Sequence, residues 1–286
     1  TATMLEPRGH KDMFGCILTE PVNPTADLGV IFMDGTGYLN MCGHSIIGVA
    51  AAAVQTGIVA VKEPYTEIMI ETCAGLVNSR VKVENNKVKE VSFINVPAFV
   101  YQRNVTIDLP SLGAVTFDIA FGGNFIAVIK AEELGVELDP KNIGSLTRLA
   151  LTLRQLVNEK ITVKHPEKNY IRSVDTVEIY GLPKASGANN RNVVIFGDGQ
   201  FDRSPCGTGT AVKMAILFDD KKLRVGDSFI NESITGTLYK GQILSETKVG
   251  EHQAIITEIT GNAYITGYNS LVLDEDDPLK FGVTFS

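Results

Sequence analysis

Nowhere in these 286 residues does an unbroken apolar stretch approach the ~20 needed to cross a bilayer, and the opening Thr1-Ala2-Thr3-Met4-Leu5-Glu6 is no charged-then-apolar leader. The expectation is a soluble, cytoplasmic chain, leaving aside any leader removed in processing. Lysine and arginine form no run and the net charge is −7, so there is no electrostatic footprint for nucleic acid or an anionic membrane. Four scattered cysteines make neither a disulfide framework nor a metal-type pair, and no His/Cys group has zinc spacing. Reduced thiols suit a reducing compartment. A P-loop pattern is missing too, and no lysine is paired with a phosphate cradle of the kind pyridoxal phosphate needs. No cofactor is expected, and a small-molecule substrate is favoured.

What is present is enough apolar material, 44% of the chain, for a sizeable core. Two lobes are the better reading. The run Leu28-Gly29-Val30-Ile31-Phe32-Met33 predicts a strand, Gly35 and Gly37 a turn, and Ile46 to Val54, ended by Gly57, a helix with almost no polar face. Such a helix must be surrounded by protein. Strands are expected at 66–72, 76–83 and 90–95. The second half repeats the plan: a strand at 192–196, the turn Gly197-Asp198-Gly199, then Cys206 and a small-residue helix over 210–218, with strands at 228–234, 237–244 and 254–259. Between them, Leu149, Leu153, Leu156 and Val157 space a surface helix over 146–159. No Pro/Ser tract separates the halves, so short crossings rather than a tether should join them.

The chemistry is concentrated at Cys42-Gly43-His44 and Cys206-Gly207-Thr208, each opening one of the buried helices. A thiol at a helix N-terminus feels the positive end of the macrodipole, which is expected to lower its pKa. Free N–H groups of Gly43, His44, Gly207 and Thr208 offer a seat for a carboxylate. Two like groups, one removing an α-proton as thiolate and one returning a proton as thiol, are what stereoinversion requires. Cys16 and Cys73 lack this context and read as ordinary core or surface residues. His165 and His252 have no motif around them and read as solvated.

Met4-Leu5-Glu6-Pro7-Arg8-Gly9-His10, Met33-Asp34-Gly35 through His44, Phe121-Gly122-Gly123-Asn124-Phe125, Val177-Glu178-Ile179-Tyr180-Gly181, Asp202 through Thr210 and Ala263 through Tyr268 together resemble the proline racemase family, which includes the hydroxyproline epimerases. One departure is that members carry a further His-Thr-x-Gly-Glu segment ahead of the Glu-Pro-Arg-Gly-His motif, whereas this sequence opens at Thr1 and reads as a processed product or a piece. The resemblance implies an α+β fold of two pseudo-symmetric lobes, each a mostly antiparallel curled sheet or barrel around a buried central helix, as in diaminopimelate epimerase. Residues 1–103 with 264–286 would form the first lobe, completed by a strand over 264–273, and 104–263 the second. It implies a homodimer, Cys42 and Cys206 as catalytic bases, and His44 and Asp202 as partners of the substrate nitrogen.

Phe14 and Phe196 match aromatic positions of the proline branch, and Thr176 is a further pocket candidate. Arg8, His10 and Arg203 read as structural. A 4-hydroxyl buried between phenyl rings without a partner would cost about 1–3 kcal/mol, which favours proline. The expected activity is cofactor-independent interconversion of L- and D-proline. The alternatives are a 4-hydroxyproline 2-epimerase, a 3-hydroxyproline dehydratase, in which threonine characteristically replaces the second cysteine, and a non-catalytic amino-acid-binding protein.

Overall fold

The computed structural model describes residues 1–110 and 112–283. Ser111 and residues 284–286, expected in the second and first lobes respectively, lie outside the described residues. The chain divides into two compact units, Thr1–Val91 with Asn262–Ser286, and Ser92–Gly261.

In the first unit, strands β1 (Phe14–Thr19), β2 (Leu28–Asp34), β4 (Tyr65–Thr72), β5 (Gly75–Glu84) and β6 (Lys87–Ile94, which runs on past the unit's limit) are neighbours in that order. The two-residue β3 (Tyr38–Leu39) pairs with β2. Most pairings are antiparallel, and β2 with β4 is parallel. In β4 and β5 buried and exposed residues alternate, the mark of a sheet with one face on the core. That face receives helix α1 (Gly43–Gln55), which contacts β1, β4 and β5. Ile46, Ile47, Ala50 and Ala53 are fully buried, as its lack of a polar face predicts. Gly57, just past its end, has φ +76, a conformation glycine adopts without a Cβ penalty.

The second unit closes on itself. Strands β7 (Ala98–Leu109), β8 (Gly113–Phe121), β9 (Phe125–Lys130), β10 (Val174–Gly181), β11 (Asn190–Phe196), β13 (Ser228–Ser233), β14 (Leu238–Val249) and β15 (His252–Gly261) pair in that order, and β15 returns to β7. The result is an eight-stranded barrel, antiparallel except at β9–β10 and β11–β13; the two-residue β12 (Gln200–Phe201) pairs with β11. Helix α3 (Gly207–Asp219) contacts β7, β8, β9, β14 and β15, and of its residues only Leu217 and Asp219 are not buried. Helix α2 (Ile143–Lys160) instead buries one face, Leu146, Leu149, Ala150, Leu153 and Val157, in the larger apolar cluster. Strand, turn, Cys-Gly and buried helix thus recur in both units, in the α+β arrangement expected.

Three expectations need correction or completion. No strand forms over 264–273: that segment has no ladder partner among the described residues, and Tyr264, Tyr268 and Val272 are 77–79% exposed. The C-terminal residues are tied in by Arg8 instead, whose guanidinium donates to the carbonyls of Leu279 and Lys280, and by Val283 N–H donating to Glu6 O at 2.9 Å. Strand β7 spans the expected lobe boundary at 103/104. Its register shifts on either side of Gln102, and Asn104 has φ +51, so its alternation is broken where polar residues interrupt it. The third concerns His165 and His252, of which the first is buried and the second half-buried. His165 is buried against Phe99 and Phe121, and its Nδ1 accepts from the N–H groups of Glu167 and Lys168, while His252 stacks on Phe99.

Leu153 is wholly buried in the α2 face of the core, whereas Gln155 on the same helix is exposed. Leu153→Ala should lose about 2–5 kcal/mol of unfolding free energy, and Gln155→Ala no more than about 0.5 kcal/mol. Urea titrations followed by circular dichroism measure the difference.

Candidate active site

Cys42 stands at the N-cap of α1, with extended backbone angles (φ −146, ψ 111), and its carbonyl accepts from Ile46 N–H at 3.0 Å. Its thiol does not cap the helix. Sγ lies 3.4 Å from Nδ1 of His44, and the His44 ring meets Phe14 of β1 edge-on, centroids 4.7 Å apart. The first unit therefore brings Phe14, Cys42, Gly43 and His44 into one group. Cys16, two residues along β1 from Phe14, is exposed as a residue. Its thiol is nevertheless pushed up, first by desolvation and then by Cys42, with His44 pulling the other way.

Cys206 is held differently. It is the N-cap of α3 with φ +60 and ψ 114, a backbone region that L residues other than glycine rarely occupy and that costs on the order of 1–3 kcal/mol. Polar groups clamp the turn. Cys206 N–H donates to Ser204 Oγ, and Thr210 Oγ1 donates to Cys206 O at 2.7 Å. The Pro205 carbonyl accepts from both Asn192 Nδ2 (3.0 Å) and Asn231 Nδ2 (3.1 Å), two fully buried side chains of β11 and β13. The thiol accepts from Gly209 N–H at 3.4 Å and lies 3.3 Å from Thr208 Oγ1.

Asp202, also buried, joins this group by its backbone and side chain. Its N–H donates to Val194 O and its Oδ1 accepts from Ser204 N–H, both at 2.8 Å. Phe196 is buried at the end of β11. The second unit thus gathers Asp202, Cys206, Gly207 and Thr208 at one turn. Thr176 on β10 is buried, with no hydrogen-bond partner for its hydroxyl among the described residues. Arg203 lies over the Phe201 ring and its carbonyl accepts from Thr235, which agrees with a structural role. His10 accepts from Asp12 N–H at an exposed loop.

The expectation of a lowered thiol fails at Cys206. Burial pushes it well above its ordinary value, Asp202 adds to the rise, and the hydrogen bonds from Thr208 and Gly209 pull back only in part. A helix dipole contributes roughly 0.3–1 kcal/mol at an exposed end, and desolvation of a buried thiolate outweighs it. Cys206 is therefore a thiol at neutral pH.

The residues that sequence reading missed are Asn192 and Asn231, while Thr210 and Gly122 stand in motifs that it singled out without giving either a role of its own. Asn192 and Asn231 carry no local signal, since other polar residues stand beside them in β11 and β13. A Cβ at Gly122 would stand 2.7 Å from the Thr208 carbonyl and 2.9 Å from Val212 Cγ2, so the Gly122-Gly123 loop can lie against the first turn of α3 only without a side chain. Among the described residues no group of three or more His, Cys, Asp or Glu could hold a metal ion, and no helix is long and apolar enough to cross a membrane.

Comparison with known proteins gives concordant results. The sequence profile of the proline racemase family matches residues 1–284. The proline racemase of Clostridioides difficile is 55% identical over 282 residues, 99% of this chain and 84% of that protein. The 4-hydroxyproline 2-epimerase of Ancylobacter novellus is 42% identical, again over 99% of this chain and 84% of its own length. A crystal structure of a hydroxyproline epimerase from Agrobacterium vitis, with trans-4-hydroxy-L-proline bound, superposes with a TM-score of 0.94 at 31% identity, covering 99% of this chain and 81% of that one.

Two outcomes are expected at Cys206. Its alkylation by iodoacetamide, followed by peptide mass spectrometry, should be slower at pH 8 than that of an unstructured cysteine peptide and should recover only at higher pH. Gly122→Ala should displace the Thr208 carbonyl, lower the melting temperature and raise the alkylation rate of Cys206.

Proposed function

Because this chain belongs to the proline racemase family, we propose that it is a cofactor-independent proline racemase that interconverts L- and D-proline, with Cys42 and Cys206 as its two acid/base groups. It is an isomerase of the racemase and epimerase class. The observation that carries the two-thiol reading is that each compact unit presents one cysteine at the N-cap of its buried helix. The 55% identity to a proline racemase supports the substrate.

In this reading one cysteine, as thiolate, takes the α-proton and becomes a thiol. The other, as thiol, delivers a proton to the opposite face of the carbanion and becomes a thiolate. No proton is gained or lost overall, and the enzyme is left in the mirror arrangement, ready for the other enantiomer. The backbone N–H groups of Gly43, His44, Gly207 and Thr208 hold the substrate carboxylate, and His44 and Asp202 orient the ring nitrogen. The elevated Cys206 thiol suits the proton-donating step, since a carbanion needs a donor that stays protonated until called upon. A substrate ammonium at Asp202 would neutralise the charge that raises Cys206, so that substrate binding itself eases the thiolate form. Phe14 and Phe196 face the apolar ring. A homodimer working in the cytoplasm completes the reading.

Epimerisation of 4-hydroxyproline is the second reading, favoured by the Ancylobacter novellus and Agrobacterium vitis relatives. Incubation with L-proline and, separately, with trans-4-hydroxy-L-proline in D2O decides between them, with Cα deuteration read by NMR and optical rotation alongside. Racemised, deuterated proline is expected, and Cys42→Ser or Cys206→Ser should each reduce the rate by about 10²–10⁴-fold. Preferential turnover of the hydroxylated substrate would move the assignment to the epimerase, and serine variants as active as the parent would end the two-thiol mechanism.

A further inference from the structure

Glu178 is a carboxylic acid with no solvent exposure, set between Val177 and Ile179 on β10. Its Oε1 accepts from Asn192 Nδ2 at 2.8 Å, and that same nitrogen donates to the Pro205 carbonyl. Glu178 is thus one hydrogen-bonded residue away from the turn that holds Cys206. Its Oε2 has no hydrogen-bond partner among the described residues and is aimed at Gly209. A Cβ on Gly209 would stand 3.0 Å from that oxygen and 3.3 Å from Cβ of Cys206. Carboxyl and cysteine therefore face one another across the first turn of α3, through a space that only glycine leaves open.

One turn further along α3, Lys213 is buried with its ammonium 3.1 Å from the centre of the Tyr180 ring. It lines a cavity of about 430 Å³ with Tyr180, Arg103, Asp118 and Asp220. Apolar residues of similar size would in general be no less stable than a buried ionisable pair. A carboxyl kept there at such cost, with one oxygen unpartnered, calls for a role other than stability.

We propose that Glu178 is a positioning residue for Cys206: from behind the turn, its carboxyl fixes the Pro205–Cys206 backbone through Asn192 and opposes loss of the proton from the thiol. The inference rests on the reading of Cys206 as an acid/base group. Burial pushes Glu178 up to about 7, with Asn192 and then Lys213 pulling it back. The carboxyl is neutral below that value and ionised above it, and once ionised it joins Asp202 in raising Cys206. Wherever the thiol could ionise, the carboxyl is therefore already charged, and the two negative charges oppose each other across the first turn of α3. Asp118, Lys130 and Asp220 act on Lys213, and Arg103 on Tyr180.

Glu178→Gln keeps an acceptor for Asn192 and removes the charge. In the full chain, the rate of Cys206 alkylation against pH should move its midpoint down by about one pH unit, roughly a tenfold faster reaction near neutrality. Cys42 should be unaffected. The pH profile of kcat for L-proline should shift with it while KM holds, a split that a merely structural role would not give. An unchanged Cys206 midpoint in a variant that melts like the parent overturns the proposal. If the Gln variant fails to fold, Glu178→Asp decides: it keeps the charge but draws the carboxyl back from Asn192 and Gly209, so the Cys206 midpoint should fall by less than in the Gln variant, and an unchanged midpoint overturns the proposal equally. A shifted midpoint in a protein that does not racemise proline would leave the role of Glu178 standing and remove the racemase reading instead.

Discussion

The Pro205 carbonyl, held by two buried asparagines, is the contact on which the second unit's chemistry depends. Without Asn192 and Asn231 there would be no reason for Cys206 to remain at φ +60. Relaxed to an ordinary dihedral, the thiol would leave the Gly209 N–H that it now accepts from, and the first N–H groups of α3 would re-aim. The strain of the cysteine is thus offset by hydrogen bonds made in a dry interior, where losing one partner costs the full desolvation of the other. Asn190 Nδ2 in turn donates to Asn231 Oδ1, so the clamp is a network whose members fix one another's amide orientation.

Packing and polarity divide the labour on α3. Ala211, Val212, Met214 and Ile216 meet the barrel wall and supply the apolar burial that keeps the helix enclosed. Thr208 and Thr210, buried on the same helix, serve the polar network instead, and buried Lys213 lies over the Tyr180 ring. The first unit solves the same problem with less apparatus. Cys42 sits at an ordinary extended N-cap with no side-chain clamp, and its neighbour is an imidazole rather than a set of amides. Similar plans in sequence have produced two cysteines in unlike electrostatic surroundings.

What was legible in the sequence follows from this division. The buried helices could be read because an apolar circumference has one explanation, and strands β4, β5 and β15 because their alternation or β-branched content is sustained; β14 was read only as far as 244, beside its register shift between Ile243 and Ser245. Strand β7 was hidden by Gln102-Arg103-Asn104, where bulges destroy the period of two. The strand expected over 264–273 was lent by family resemblance rather than by any local pattern, and the exposed tyrosines there deny it. The cysteines and their flanking glycines were visible because the motif is contiguous. Asn192, Asn231 and Glu178 were not, because each stands among other polar residues of its strand, such as Arg191, Glu232 and Thr176, and only the fold shows that all three converge on one turn. The sign of the Cys206 shift was misjudged for the same reason: the dipole is a property of local sequence, whereas burial belongs to the closed barrel.

That closure also sets where the molecule loosens. A ring of eight paired strands has no terminal strand from which to unzip, so its amides must exchange with solvent through opening of the whole ring. The first unit's sheet ends at β1, where Ile17 and Leu18 are partly exposed. Phe14, whose ring meets His44, lies on that outermost strand. Cys42 therefore stands in the unit whose sheet ends at an edge strand and Cys206 in the unit whose strands close into a ring, a topological asymmetry laid over the electrostatic one.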